Sequence, residues 1–150
     1  MTIDTSGRWW TGSAPEDTEE YLRALGAGGH AVDATRPCRC DCGGQVFRLE
    51  ADPREGVARR TCTACGAARF IADGAELAED AVLEPWACTE CGEETCNLGV
   101  GFSLYAAQGD APRDVRWISV GQRCTGCGTL GSVVDWKVGY GPSDHLLDGA

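Results

Sequence analysis

Ten cysteines, Cys38, Cys40, Cys42, Cys62, Cys65, Cys88, Cys91, Cys96, Cys124 and Cys127, constrain this chain of 150 residues more than any other feature. That density admits three chemistries: a disulfide framework, metal ligation, or redox-active pairs. The N-terminus MTIDTSGRWW has neither the basic start nor the apolar core of a signal peptide, and no apolar run approaches the roughly 18 residues that cross a bilayer. A cytoplasmic location away from membranes is therefore expected. Reducing cytosol disfavours structural disulfides, and closely spaced cysteines there more often ligate metal. Local sequence agrees, because Cys42-Gly43, Cys65-Gly66, Cys91-Gly92 and Cys127-Gly128 each close a C-x-C-G or C-x-x-C-G unit. Two thiolates and the N–H groups behind them must face one ion, so the chain turns sharply after the second sulfur. Glycine permits the positive φ that such a turn often requires. A thioredoxin-type C-x-x-C opens a helix instead, which the glycines oppose.

Paired in order, the four units make two four-thiolate sites: Cys40 and Cys42 with Cys62 and Cys65, and Cys88 and Cys91 with Cys124 and Cys127. Such sets suit two Zn2+ ions per chain, with iron in a rubredoxin-like site as the alternative because the same ligands serve it. An internal repeat bears on the other cysteines. Aligning the residues after Cys42 on those after Cys91 sets Cys96 opposite Phe47, which reads Cys96 as a small buried apolar residue. Further on, Ile71 and Asp73 match Val133 and Asp135. Cys38 has no counterpart, since Trp86 stands at its place before Cys88. It is kept as an alternate ligand able to replace Cys40 through a C-x3-C spacing.

The Cys-Gly knuckles, the hairpin between them and the short strand after the second knuckle resemble the zinc-ribbon superfamily over about residues 38–73 and 86–140. Cys40-Asp41-Cys42 departs from that pattern, being one residue shorter than the usual knuckle. The resemblance implies a small, metal-stabilised, mainly β fold: two tandem zinc ribbons with an N-terminal α-helix. It implies no single function, because the superfamily spans transcription factors, ribosomal proteins, enzyme appendages and adaptors.

Five segments follow: an N-terminal extension 1–37, a first ribbon 38–73, an acidic linker 74–87, a second ribbon 88–140 with a long hairpin, and a tail 141–150. In the extension, Ser13 and Glu16 form a capping-box pattern, and Tyr21, Leu22 and Leu25 give an apolar stripe that stops at Gly26. Trp9 and Trp10 precede this helix, either packing it onto a ribbon or anchoring a partner. Residues 26–37 read as a loop, with His30 at the surface. The linker offers Leu77, Val82 and Leu83 as packing points and room for one helical turn. In the second ribbon Val100, Phe102 and Leu104 alternate with Gly101, Ser103 and Tyr105, and the turn between strands spans 108–114. The return strand puts Val115, Trp117 and Ser119 on one face and Arg116, Ile118 and Val120 on the other. Both faces carry apolar groups, so one is expected against the first ribbon and the other against the helix. The tail, with Leu146 and Leu147, lies along the ribbon or docks in a partner.

Thirteen basic residues against 23 acidic ones give a net charge of −10, which opposes a general phosphate-backbone binder. Only 38–72 is basic, its arginines including Arg48, Arg54, Arg59, Arg60 and Arg69, whereas 73–87 holds five acids and no base. A saturated four-thiolate site leaves no open position for water or substrate. The chain has no H-E-x-x-H, Walker or G-x-S-x-G motif, and its two histidines, His30 and His145, lie towards the termini. No catalytic residue is assigned and no enzyme is expected. Asp135 and Asp73 are the best carboxylates for a general base, though each reads first as a turn cap. Arg116, Trp117, Arg123, Trp136, Lys137 and Tyr140 interleave cations with rings that can grip a peptide or stack on a base, and form a candidate partner surface. The leading expectation is a zinc-binding adaptor, regulator or immunity-type inhibitor that occludes a basic protein partner. A nucleic-acid-associated factor using the basic first ribbon is the first alternative; an enzyme or rubredoxin-like redox protein is the second.

Overall fold

The computed structural model describes residues 3–26, 29–107, 109–111, 113–138 and 143–150, apart from the side chain of Leu77. Its elements are α1 (Asp17–Leu25), β1 (Ala34–Pro37), β2 (Phe47–Asp52), β3 (Val57–Cys62), β4 (Ala68–Phe70), α2 (Gly74–Leu77), β5 (Glu84–Pro85), β6 (Cys96–Leu104), β7 (Val115–Cys124) and β8 (Leu130–Lys137). Short 3-10 turns cover Ala78–Asp80 and Asp144–Asp148. The strands pair antiparallel in the order β4-β3-β2-β6-β7-β8, with β1 added to β6 and β5 added to β2. Among the described residues no helix is long and apolar enough to cross a membrane.

Two halves of the sheet meet at one residue pair, Phe47 with Cys96. Each half follows the same register. In the first, Phe47 faces Cys62 and Thr61 faces Ala68; in the second, Cys96 faces Cys124 and Arg123 faces Leu130. The strands that lead into the cysteine turns are exchanged. β1 runs into the first cysteine group but lies on β6, where the Cys38 N–H donates to Leu98 O at 2.9 Å. β5 leads towards the second group but lies on β2, where the Trp86 N–H donates to Leu49 O at 2.8 Å. One hydrophobic core runs through both halves, taking Phe47, Leu49 and Ile71 from the first, Val100, Phe102, Ile118 and Trp136 from the second, and Leu146 from the tail.

The alternation in β6 decides what lies on each side. Leu98, Val100 and Phe102 point into the core, and period two turns Gly99, Gly101 and Ser103 to the other face. Helix α1 lies on that small-residue face. A Cβ at Gly99 would collide with Thr18 Oγ1, and one at Gly121 would stand 3.0 Å from Leu22 Cδ2. Leu22 and Thr18 are fully buried as a result. Burying a leucine side chain contributes roughly 1.5–3 kcal/mol, and only glycines in the strands let the helix approach closely enough to do it.

Several local expectations change. The Ser13–Glu16 capping box does not form; the buried Asp17 carboxylate instead accepts the N–H groups of Ser13 at 2.8 Å and Ala14 at 3.0 Å. Residues 34–37 form strand β1, not loop. Ala34-Thr35-Arg36-Pro37 has no apolar alternation because this strand is ordered by its ladder with β6, and its Thr35 hydroxyl donates to Glu19 Oε1 at 3.0 Å. In β7, Leu104 faces Val115 while Ser103 faces Trp117, so Arg116 is an extra residue. That bulge moves Val115 off the face of Trp117 and into the core. In β8, Val120 faces Val134 while Gly121 faces Ser132, making Val133 extra. Val134 is buried in its place, Asp135 turns out to solvent and Trp136 turns in. In the linker, Gly74–Leu77 makes the helical turn, while Val82 is 71% exposed and outside the core. The 108–114 turn includes Gln108 and Pro112, which lie outside the described residues.

Gly99→Ala should therefore push α1 off the sheet and lower stability by about 1–3 kcal/mol, the usual scale of overpacking. Urea unfolding of the metal-loaded protein measures it, and an unchanged midpoint would show that the helix has room to move.

Candidate metal centres

Each cysteine set is built by two tight turns. In the second set, the Cys88 N–H bonds Glu93 O at 2.8 Å and the Gly92 N–H bonds Cys88 O at 2.9 Å. Cys124 and Gly128 repeat this with Thr129 O and Cys124 O, both at 2.9 Å, and in the first set Cys62 and Gly66 do so with Ala67 O and Cys62 O. The short Cys40-Asp41-Cys42 turn closes the same way one residue earlier, with Cys40 N–H to Gly44 O at 2.9 Å and Gly43 N–H to Cys40 O at 2.8 Å. Gly43, Gly66, Gly92 and Gly128 take φ of 90°, 77°, 80° and 80°, the left-handed conformation that folds the chain back behind the second sulfur. Gly44 is needed for space instead: a Cβ there would lie 2.8 Å from Cys62 Sγ.

These turns bring eight sulfurs into two groups. Cys40 Sγ lies 3.5 Å from Cys65 Sγ and Cys42 Sγ 3.6 Å from Cys62 Sγ. Cys88 Sγ lies 3.6 Å from Cys127 Sγ and Cys91 Sγ 3.4 Å from Cys124 Sγ. Within each group all four atoms fall within 4.8 Å of one another. A disulfide needs about 2.05 Å, and none of the ten cysteines is bridged. A tetrahedral site with metal–sulfur bonds of about 2.3 Å spaces its sulfurs about 3.8 Å apart. Each group thus has the composition and the spacing to hold one metal ion.

Within each set peptide N–H groups favour one thiolate while the neighbouring sulfurs hold another thiol protonated, so that Cys42 and Cys91 are pushed up to about 12. The N–H groups of Cys65 and Ala64 point at Cys62 Sγ and, against burial, bring that thiol down to about 7. Burial opposes ionisation of Cys127, but the hydroxyl and N–H of Thr129 prevail and lower it to about 7. Cys38 and Cys96 stand apart from both groups and are 2% and 0% exposed. Burial pushes Cys38 up to about 12 in spite of the nearby Arg60 guanidinium, and pushes Cys96 up as well. Both are neutral core residues, and Cys40, not Cys38, joins the first group.

The residues singled out as a partner surface separate in the structure. Trp136 is 6% exposed and its indole N–H donates to Asp73 Oδ1 at 2.9 Å, tying the two halves together. Asp73 is thereby engaged, and Asp135 is exposed on the far face of the strand. Arg123 Nε donates to Gly12 O at 2.7 Å and its Nη1 to Asn97 Oδ1 at 3.0 Å. Arg116 and Trp117 stay together at the β7 bulge, where Trp117 faces Lys137 across the ladder and Arg116 sits 5.7 Å from the Tyr105 ring. Tyr140 lies outside the described residues.

Of the arginines of the first half, Arg54 and Arg69 are exposed and Arg48 lies in an exposed ion pair, while Arg59 and Arg60 are engaged. Arg59 pairs with Glu50 at 2.7 Å and Arg48 with Glu94 at 3.1 Å. Arg60 is 2% exposed, lies 4.8 Å from the Phe47 ring centre, and donates to Ala150 O at 3.1 Å. Sequence reasoning missed the docking of the first residues on the second centre. Asp4 and Thr11 exchange backbone bonds of 2.8 and 3.0 Å, Gly12 N–H donates to Gly128 O at 2.8 Å, and Leu130 N–H donates to Trp10 O at 2.8 Å. No periodicity marks this segment, because main-chain bonds hold it. No family model matches the chain, and comparison with curated proteins and with solved structures likewise finds no match.

The purified protein should release two metal equivalents per chain under denaturing chelation, and Cys38→Ser or Cys96→Ala should leave that number unchanged. Cys91→Ser should reduce it to one. Elemental analysis with thiol titration reads both, and a Cys38 variant that lost one equivalent would displace Cys40 from the ligand set.

Proposed function

We propose that this chain is a zinc-binding, non-enzymatic interaction module made of two zinc-ribbon units, and that its partner is a basic protein. Two units are supported by the matching registers and turn bonds of the halves. Zinc is supported by two complete sets of four soft donors, which leave a tetrahedral ion no vacant position for water or substrate.

Charge is the observation that carries the choice of partner. The linker acids Glu76, Glu79, Asp80 and Glu84 are exposed, while Arg48 and Arg59 pair with acids and Arg60 is buried. Eight thiolates around two dications would add about four further negative charges to the −10 of the sequence. A surface of this sign steers basic proteins and repels phosphate backbones. The nucleic-acid reading has the weaker support: Arg59 is paired and Arg60 buried, which leaves Arg48, Arg54 and Arg69 exposed on a chain of net charge −10.

Cross-linking of the metal-loaded protein in native cytosol should recover a protein with a basic contact face. Neutralising the linker, with Glu76→Gln, Glu79→Gln, Asp80→Asn and Glu84→Gln together, should weaken that complex at least tenfold. Recovery of RNA or DNA, or equal binding by the neutralised linker, would overturn the reading. The purified protein should also be colourless, since an iron–thiolate centre absorbs visible light.

A further inference from the structure

The two halves follow one register, yet their cysteine centres are not braced alike. Exposure does not separate them, since each set has two buried and two exposed cysteines. The turn bonds that both halves make set the equivalent positions. Cys88 N–H bonds Glu93 O where Cys40 N–H bonds Gly44 O, and Cys124 N–H bonds Thr129 O where Cys62 N–H bonds Ala67 O. Thr125 N–H bonds Thr95 O where Thr63 N–H bonds Val46 O. Glu93, Thr95 and Thr129 of the second centre therefore stand where the first has Gly44, Val46 and Ala67.

At all three positions the second centre has a hydrogen-bonding side chain and the first has none. Thr129 Oγ1 lies 3.0 Å from Cys127 Sγ; a metal-bound thiolate carries no proton, so toward it the hydroxyl donates. Glu93 Oε1 accepts the N–H groups of Glu94 at 3.0 Å and Thr95 at 3.2 Å, and the Thr95 hydroxyl at 3.0 Å. That hydroxyl also meets Thr125 Oγ1 at 2.6 Å, which ties the turn after Cys91 to the turn after Cys124. The N-terminal segment adds a brace from outside, because Gly12 N–H donates to Gly128 O at 2.8 Å and Arg123 Nε holds Gly12 O at 2.7 Å. Among the described residues Gly66 O, the counterpart of Gly128 O, accepts no such bond.

Release of a thiolate-bound ion begins when one sulfur leaves the metal and takes a proton. A hydroxyl donating to that sulfur competes with the proton. A braced turn keeps the departed sulfur within reach, so its bond re-forms before a second one breaks. Partners of this kind around the ligands change metal affinity by about 10–100-fold.

We propose that the first centre exchanges its ion while the second retains it, so that the chain has a one-metal state filled at Cys88, Cys91, Cys124 and Cys127. Thr129 is the chief positioning residue of that difference. The proposal rests on the reading of two zinc sites given above and is independent of the partner.

The test mixes the full chain, loaded with Zn2+ and not denatured, with an excess of the chromogenic chelator 4-(2-pyridylazo)resorcinol at neutral pH. Zinc should leave in two phases of one equivalent each, with rates about tenfold or more apart. Alkylation by N-ethylmaleimide after the fast phase, mapped by mass spectrometry, should label Cys40, Cys42, Cys62 and Cys65 and spare the other four ligands. Thr129→Val should speed the slow phase about tenfold and leave the fast phase unchanged. Thr129→Ser should restore the slow phase, and Ala67→Thr should slow the fast one several-fold. Labelling first at the second set, release of both equivalents in one phase, or a slow phase indifferent to Thr129→Val would each overturn the proposal. Should Thr129→Val not fold, the order of labelling in the wild type and the Ala67→Thr rate decide it. Fewer than two Zn2+ on the loaded chain would instead remove the two-site reading, and the proposal with it.

Discussion

Sulfur atoms held 3.4–3.6 Å apart without a bond between them are the constraint on which this fold depends. Thiolates at that spacing repel one another, and thiols there gain only weak hydrogen bonds, so four together are stable chiefly when a cation sits among them. Structural zinc in small thiolate domains contributes roughly 10–16 kcal/mol apparent at neutral pH, against about 5–15 kcal/mol for the net stability of a whole domain. The strands grow out of the turns that hold the sulfurs: β3 ends at Cys62 and β7 ends at Cys124. Fixing the ligands thus fixes the register of each hairpin.

Exchange of the lead-in strands couples the two centres. β1 runs from the edge of β6 into the turn at Cys40, and β5 runs from the edge of β2 towards the turn at Cys88. Disorder in either turn loosens a strand that belongs to the opposite half. The Trp136 bond to Asp73 and the shared core add side-chain links across the same boundary. Two halves joined in the ladder at one pair, Phe47 with Cys96, would otherwise be free to hinge. With these links they share one core.

The ligands were legible in the sequence because their information is local. A Cys-Gly turn needs only its own residues, so spacing named all eight sulfurs, and the apolar groups on both faces of the return strand β7 pointed to a strand packed on each side. What escaped depends on contacts distant in sequence. The bulges at Arg116 and Val133 arise from register with neighbouring strands, and each breaks the alternation by one residue, so that Val115 leaves the face of Trp117 and Trp136 turns into the core, away from the surface expected of it. β1 carries no apolar signature because its order comes from a ladder. Asp17 and Arg123 look like ordinary surface charges until the turn and the carbonyl that they serve are brought to them by the fold.

Two tryptophans differ in what they contribute to folding. Trp136 follows the rule for a buried indole: its ring fills the core and its N–H finds a carboxylate. Trp9 breaks it, leaving nearly half its surface in water within a segment that the main chain holds firmly. Folding gains little from such a ring, since its apolar area stays hydrated. Binding gains more, because a side chain whose backbone is already fixed loses less freedom when a partner covers it. On the proposed reading of a basic partner, the negative charge of the chain would select which proteins approach.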